Sequence, residues 1–351
     1  MWAGLLAMLA GCAAPRRAGP PPDWSQSSGT GQPVALRQAP PSASANSSAA
    51  SPGLPGQQPA ATWQALDEWS LAHGLSSPVC LARSPVATYA LDTGRGVLVL
   101  QIGSREAMWD GVEVRLGFAP HLIDGRVWLH GLDLRKTLEP LWRGFAPVTR
   151  PGRTIVVDPG HGGSNPGARS VATGGWEKDY TLDWAFRLAQ RLDARGWRVF
   201  LTRTNDTDVP LPDRVALAEA CQADLFLSLH FNSTGNGQSQ AGVETYCMAA
   251  AGMPSDITRG YNDDLQTVHP NNAWDEQNLP LAVAVHRAVL RATGQTDRGV
   301  RRARFMTVLQ GQRRPAVLLE GGYLSNPAEA RRVADWRFRE ALAEAVAAAL
   351  P

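Results

Sequence analysis

Four short apolar runs between Thr154 and Glu320 leave this chain few ways to fold. They are Thr154-Ile-Val-Val-Asp158, Trp197-Arg-Val-Phe-Leu-Thr202, Asp224-Leu-Phe-Leu-Ser-Leu-His230 and Pro315-Ala-Val-Leu-Leu-Glu320. Each is too short to be an ordinary helix, and each is too continuously apolar to be a strand with one wet face. Such runs read as strands covered on both sides. Helical stretches are expected between and after them, from Glu177 to Arg195, from Asp213 to Gln222 and from about Asp335 to Leu350. Strand and helix in alternation predict an α/β domain over residues 152–351, with a mostly parallel sheet flanked by helices on both faces.

The chain upstream is of another kind. Residues 62–145 carry short alternating runs such as Gly96-Val-Leu-Val-Leu-Gln-Ile102 and Glu113-Val-Arg-Leu-Gly-Phe118, and an Asp124-Gly125 pair stands between two further runs. Alternation with an Asp-Gly turn predicts hairpins, hence a small β-rich module, whose role no motif assigns. Residues 13–61 are dominated by Pro, Gly, Ser, Ala and Gln. They hold too little apolar surface to offset the entropy of ordering, and read as a disordered tether. Residues 1–12 form an apolar run too short to span a bilayer, ending in Leu9-Ala10-Gly11-Cys12. That tetrapeptide resembles a bacterial lipobox, which implies cleavage before Cys12 and a lipid on its sulfur holding the protein to a membrane. The expected location is the cell envelope, periplasmic if the source has two membranes.

With 34 Lys and Arg against 32 Asp and Glu, spread along the chain, the formal net charge is +2. Nothing in this balance calls for nucleic acid. Cys80, Cys221 and Cys247 are scattered, with no C-x-x-C spacing, so neither a disulfide framework nor a cysteine metal site is expected.

Candidate chemistry gathers at the ends of the apolar runs. His161 follows the first, in Asp158-Pro-Gly-His-Gly-Gly163; Glu177 opens the first helix; His230 and Glu320 end two later runs. In open α/β sheets ligands bind in the crevice beyond the carboxyl ends of strands, which would bring these four residues to one rim. Two imidazoles and a carboxylate are a ligand set that zinc uses when it keeps a position for water, although the spacing fits no short zinc motif.

Five blocks, in order, carry a resemblance: Ile155-Val-Val-Asp-Pro-Gly-His-Gly-Gly163, Glu177-Lys-Asp179, Leu201-Thr-Arg203 with Asp206, Asp224-Leu-Phe-Leu-Ser-Leu-His-Phe-Asn232, and Leu319-Glu-Gly-Gly-Tyr-Leu-Ser-Asn326. From Thr154 to Leu350 the chain resembles the zinc N-acetylmuramoyl-L-alanine amidases with a type-three catalytic domain. The resemblance implies that His161, Glu177 and His230 bind one Zn2+ and that Glu320 is the catalytic acid/base. The implied reaction is cleavage of the amide between N-acetylmuramic acid and L-alanine in peptidoglycan. The chain departs from many relatives at Glu219, where they carry Asn, and at Gly322-Tyr323. A zinc deacetylase or peptidase acting on another wall bond, and a non-catalytic wall-binding lipoprotein, are the alternatives. The protein is expected to act as a monomer, and the need for an activator is left open.

Some relatives block the zinc with a helix inserted after the strand that here reads Gly242-Val-Glu-Thr-Tyr-Cys247. The stretch from Ala249 to Pro280 has no sustained helical period and contains Pro254, Gly260, Pro270 and Pro280. It is expected to wall the substrate groove, with Trp274 and Asn278 as contacts, and the next helix is expected to start near Leu281.

Overall fold

The computed structural model describes residues 63–350 apart from 147, 149–151, 236 and 258–263. The lipobox with Cys12 and the tether at 13–61 lie outside the described residues. The strands are β1 (Trp63–Ala65), β2 (Val79–Ala82), β3 (Thr88–Asp92), β4 (Val97–Gln101), β5 (Glu106–Trp109), β6 (Val112–Arg115), β7 (His121–Ile123), β8 (Arg126–His130), β9 (Thr154–Pro159), β10 (Arg198–Leu201), β11 (Leu225–Asn232), β12 (Val243–Cys247), β13 (Asp297–Arg302) and β14 (Ala316–Tyr323). The helices are α1 (Leu66–Ala72), α2 (Gly131–Asp133), α3 (Glu139–Arg143), α4 (Glu177–Asp193), α5 (Leu211–Ala220), α6 (Asp275–Thr293), α7 (Thr307–Gln310), α8 (Pro327–Ala334) and α9 (Trp336–Ala349).

The four apolar runs are β9, β10, β11 and β14, and all four are mutually parallel where they pair. Every residue of β9 is buried. Its neighbours explain why: Ile155 and Val157 belong to one apolar cluster with Trp184, Leu188 and Leu192 of α4 and Leu342 and Val346 of α9. Val156 belongs to a second cluster with Ala218 of α5 and Leu309 of α7. The alternate residues of this strand thus enter two different cores, and neither face of β9 meets water. On α4 the buried residues Trp184, Ala185, Leu188 and Leu192 recur at helical spacing, which is the face it lays on the sheet.

Strand order is β10-β9-β11-β14-β12-β13-β6-β5-β4-β3-β2 in one sheet, with β1-β8-β7 in a second. β12 pairs antiparallel with β14, and β13 parallel with β12. The hairpin strands β2 to β6 continue the same sheet: β6 pairs with β13 through Val114 and Val300. Leu98, Leu100, Trp109 and Val114 share the apolar cluster of β9 and α4. The Asp124-Gly125 pair joins β7 to β8, whose closing residues Ile123 and Arg126 face each other. Cys80, Cys221 and Cys247 are free thiols.

Two expectations about the stretch after β12 are overturned. β12 runs against β14, so its carboxyl end, and the segment that follows, lies at the amino ends of β11 and β14, away from His230 and Glu320. Asn278 is buried and accepts from the backbone N–H of Ala316, the first residue of β14, at 2.9 Å. Asn271 donates to the carbonyl of Arg314 at 2.8 Å, and Asn272 to that of Ala249 at 2.9 Å. Four residue steps along the strand, roughly 13 Å, separate Ala316 from Glu320. The described residues of the stretch therefore form a polar clasp at the bottom of the sheet, away from the crevice, so Trp274 and Asn278 are not its contacts. The second correction is the helix start: α6 begins at Asp275 and contains Pro280. A proline one turn and a half into a helix forfeits a single backbone hydrogen bond there, which the packing of Leu279, Leu281 and Val285 in the core outweighs.

Candidate metal and catalytic site

His161 stands just past β9 with a positive φ of 64°. That conformation is costly for a residue with a Cβ, and a network beneath holds it. Arg214 of α5 donates to the carbonyl of His161 at 2.8 Å and to Asp158 at 2.6 Å. Arg203, after β10, donates to the carbonyls of Pro159 at 3.0 Å, Gly160 at 2.9 Å and Lys178 at 2.8 Å. Asp158 also accepts from Thr202 at 2.6 Å and Ser228 at 2.7 Å. Two buried guanidinium groups thus pin the turn after β9 to the first turn of α4. Burial and the neighbouring Arg214 pull Arg203 down to about 10, still charged at neutral pH.

Three of the four candidates come together. Nε2 of His161 lies 3.0 Å from Oε1 of Glu177, and Nδ1 of His230 lies 3.1 Å from the same oxygen. The two imidazoles meet edge to face with centroids 4.9 Å apart. One ligand atom from each of these residues lies within 4.8 Å of the others, a grouping that could hold a metal ion. Glu177 is buried and oriented by backbone: Phe231 donates to Oε1 at 3.0 Å and Ala168 to Oε2 at 2.9 Å. Burial raises the pKa of Glu177, but hydrogen bonds to His161 and His230 and their charge outweigh it and hold the carboxyl far below its ordinary range. Burial depresses His161, yet the bond to Glu177 and its charge raise it above 6.5 overall.

Glu320 sits opposite His230 in the parallel register of β11 and β14, and opposite Glu244 in the antiparallel register of β12 and β14. Residues directly opposite in a ladder share a face, so Glu320 stands on the same side of the sheet as His230. Glu244 is a buried carboxylate held by Asn232 at 2.9 Å, Tyr246 at 2.6 Å, Tyr323 at 2.9 Å and Arg298 at 2.9 Å. Tyr323, the departure noted in the sequence, spends its hydroxyl on this cluster. Glu219, the other departure, pairs with Arg314 away from the site.

Sequence reading missed Asn165, whose Oδ1 lies 3.0 Å from Nδ1 of His161. The amide accepts from that nitrogen, which leaves Nε2 for the shared carboxylate or a metal. The available signal was an Asn four residues after a histidine in a glycine-rich turn. Glycine is required at two places by close approach. A Cβ on Gly160 would sit 2.3 Å from the His230 ring, and one on Gly167 would sit 2.6 Å from Oε2 of Glu177.

The family model described as Amidase_3, N-acetylmuramoyl-L-alanine amidase, matches residues 155–351, more than half of the chain. N-acetylmuramoyl-L-alanine amidase LytC of Bacillus subtilis is 32% identical over 195 residues, which cover 56% of this chain and 34% of LytC. The chain thus spans about a third of that relative. The uncharacterized protein YqiI of the same organism is 30% identical over 218 residues, 62% of this chain and 91% of YqiI. Among solved structures, the catalytic domain of the amidase CwlV from Bacillus (Paenibacillus) polymyxa var. colistinus is 31% identical with a TM-score of 0.47, covering 56% of this chain and 95% of that domain.

Proposed function

Since the chain belongs to the N-acetylmuramoyl-L-alanine amidase family of the Amidase_3 type, we propose that it hydrolyses the amide between N-acetylmuramic acid and L-alanine in peptidoglycan, with zinc held by His161, Glu177 and His230. The observation that carries this reading is the convergence of two imidazole nitrogens on one buried carboxylate oxygen, at 3.0 and 3.1 Å, at the carboxyl ends of β9 and β11. Two nitrogens and one oxygen suit a borderline cation that keeps a position for water. Asn165, Phe231 and Ala168 supply the outer hydrogen bonds that such ligands need. Bound zinc supplies Lewis-acid polarisation of the amide carbonyl and an acidified water. Glu320 accepts the proton of the attacking water and returns it to the departing amine of L-alanine. Glu320 stands opposite His230 on the neighbouring strand, on the same side of the sheet, which supports this role.

The test is digestion of purified peptidoglycan with and without a chelator, followed by mass analysis. Glycan chains freed of peptide, with stem peptides beginning at L-Ala, support the amidase. Free acetate or cleavage within the stem peptide would replace it by a deacetylase or a peptidase.

The same reading places the enzyme in the cell envelope. No helix among the described residues is long and apolar enough to cross a membrane. Leu9-Ala10-Gly11-Cys12 supports attachment through lipid on Cys12. Cys12→Ser is expected to release the protein from membranes with unchanged activity of the soluble enzyme, and failure of labelled fatty acid to follow the unaltered protein would refute the anchor.

A further inference from the structure

The excursion between β9 and α4 is tied to the Glu177 carboxylate and to the backbone just past β14. Glu177 donates its N–H to the carbonyl of Ala168 at 2.8 Å, while Ala168 donates to Oε2 of Glu177 at 2.9 Å. Three residues on, Val171 donates to the carbonyl of Leu324 at 3.0 Å, just past the end of β14, the strand that carries Glu320. Between these anchors the chain closes a tight hairpin: Ser170 donates to Gly175 and Gly174 to Ser170, both at 2.8 Å. Thr173 shares a 2.6 Å hydrogen bond with the Tyr180 hydroxyl of α4. Arg169 and Trp176 face each other across the hairpin as an antiparallel bridge.

The hairpin is held by backbone bonds and by Tyr180, yet it exposes side chains that folding normally hides. Trp176 is 38% exposed and Val171 49%, and Arg169 is exposed with its guanidinium 5.5 Å over the Trp176 ring. Arg169 is itself steadied by a 3.2 Å bond from Nε to the carbonyl of Gly174. An exposed indole backed by a planar cation, on a braced loop beside a catalytic crevice, has the composition of a binding contact.

We propose that Arg169 and Trp176 form a saccharide subsite at the rim of the crevice. The indole stacks on the apolar C–H face of an N-acetylhexosamine ring, and Arg169 donates to its acetamide or lactyl oxygens. A pyranose ring offers a flat apolar face ringed by acceptors, and the Trp–Arg pair offers the matching flat apolar surface bordered by donors. Trp176 immediately precedes Glu177 in the chain, which sets the pair at the edge of the proposed zinc site. The assignment of this sugar to the glycan side of peptidoglycan rests on the amidase reading; the saccharide chemistry of the pair does not.

The experiment titrates the zinc-loaded protein with the peptide-free disaccharide GlcNAc-MurNAc and, separately, with an L-Ala-D-Glu stem peptide, followed by saturation-transfer NMR and calorimetry. The unaltered protein is expected to bind the disaccharide. Trp176→Ala should weaken that binding about tenfold, the weight of one stacking contact of about 1.4 kcal/mol. Trp176→Phe should stay within about threefold of the unaltered protein, since an aromatic face remains. Zinc content and binding of the stem peptide should be unchanged in both. No disaccharide binding by the unaltered protein, or equal binding by Trp176→Ala, would overturn the subsite. Loss of peptide binding in place of disaccharide binding would reassign it to the stem peptide and equally overturn it. Product analysis of peptidoglycan digests judges the amidase reading independently, so the two can fail separately.

Discussion

Gly160→Ala is the smallest change that should disable the site without removing a ligand. A Cβ at residue 160 would lie 2.3 Å from Cε1, 2.4 Å from Nε2 and 2.7 Å from Nδ1 of His230. Non-bonded heavy atoms rest at about 3.5 to 4.0 Å, so the ring must retreat by roughly 1 Å or more. Metal sites tolerate about 0.2 Å in ligand distance, far less than that retreat. Disturbing ligand orientation typically lowers metal affinity by about 10- to 100-fold, and a misplacement near 1 Å can cost about 100-fold in rate. Overpacking should lower stability by only about 1 to 3 kcal/mol, because the turn is pinned by Arg203 and Arg214 independently of the ring. The assay compares zinc affinity by competition with a chromophoric chelator and kcat/KM on peptidoglycan, with Gly235→Ala as control, since a Cβ there meets nothing within 4 Å. A Gly160→Ala protein with unchanged zinc affinity and more than half of the activity would refute the crowding argument.

Glu320→Gln should keep zinc and fold while activity falls by about 10²- to 10⁴-fold, because the amide cannot accept the water proton; retention of a tenth of the activity would remove Glu320 from the mechanism. Zinc and protons compete at the site. In the metal-free protein, His161 is raised above 6.5 and Glu177 is held below 4.5. Their pairing therefore contributes fully between about pH 4.5 and 6.5, fading as pH falls through the Glu177 pKa or rises through that of His161. The zinc-induced rise in Tm should accordingly grow from pH 5.5 to 7.5, and a rise independent of pH would contradict this linkage. Asn278→Ala should cost about 1 to 3 kcal/mol by stranding the N–H of Ala316 and the partner Asn271, with kcat/KM of the folded protein unchanged; an altered KM with unaltered stability would return this residue to the substrate groove.

The site was legible in the sequence to the extent that its residues mark strand ends. His161, His230 and Glu320 close apolar runs and Glu177 opens a helix, and the continuous apolarity of those runs follows from burial on both faces, which composition alone records. Four of the five blocks that carried the resemblance each surround one of these positions, and the fifth, Leu201-Thr-Arg203 with Asp206, holds the Arg203 that pins the turn after β9. What the sequence left undetermined depends on strand direction and pairing. β12 is buried along its whole length and reads the same whether it runs with β14 or against it, yet its direction alone sends the described part of the stretch from 249 to 280 to the bottom of the sheet. The hairpins β2 to β6 read as a module in the sequence, while the pairing of Val114 with Val300 joins them to the catalytic sheet. The hairpin from Ala168 to Trp176 likewise acquires its place through a hydrogen bond to a residue far along the chain, Val171 to Leu324. Local periodicity encodes which face of an element is buried. Which neighbour covers it is decided by the packing and hydrogen-bond energy of the whole sheet, a sum over distant pairs that no window of sequence contains.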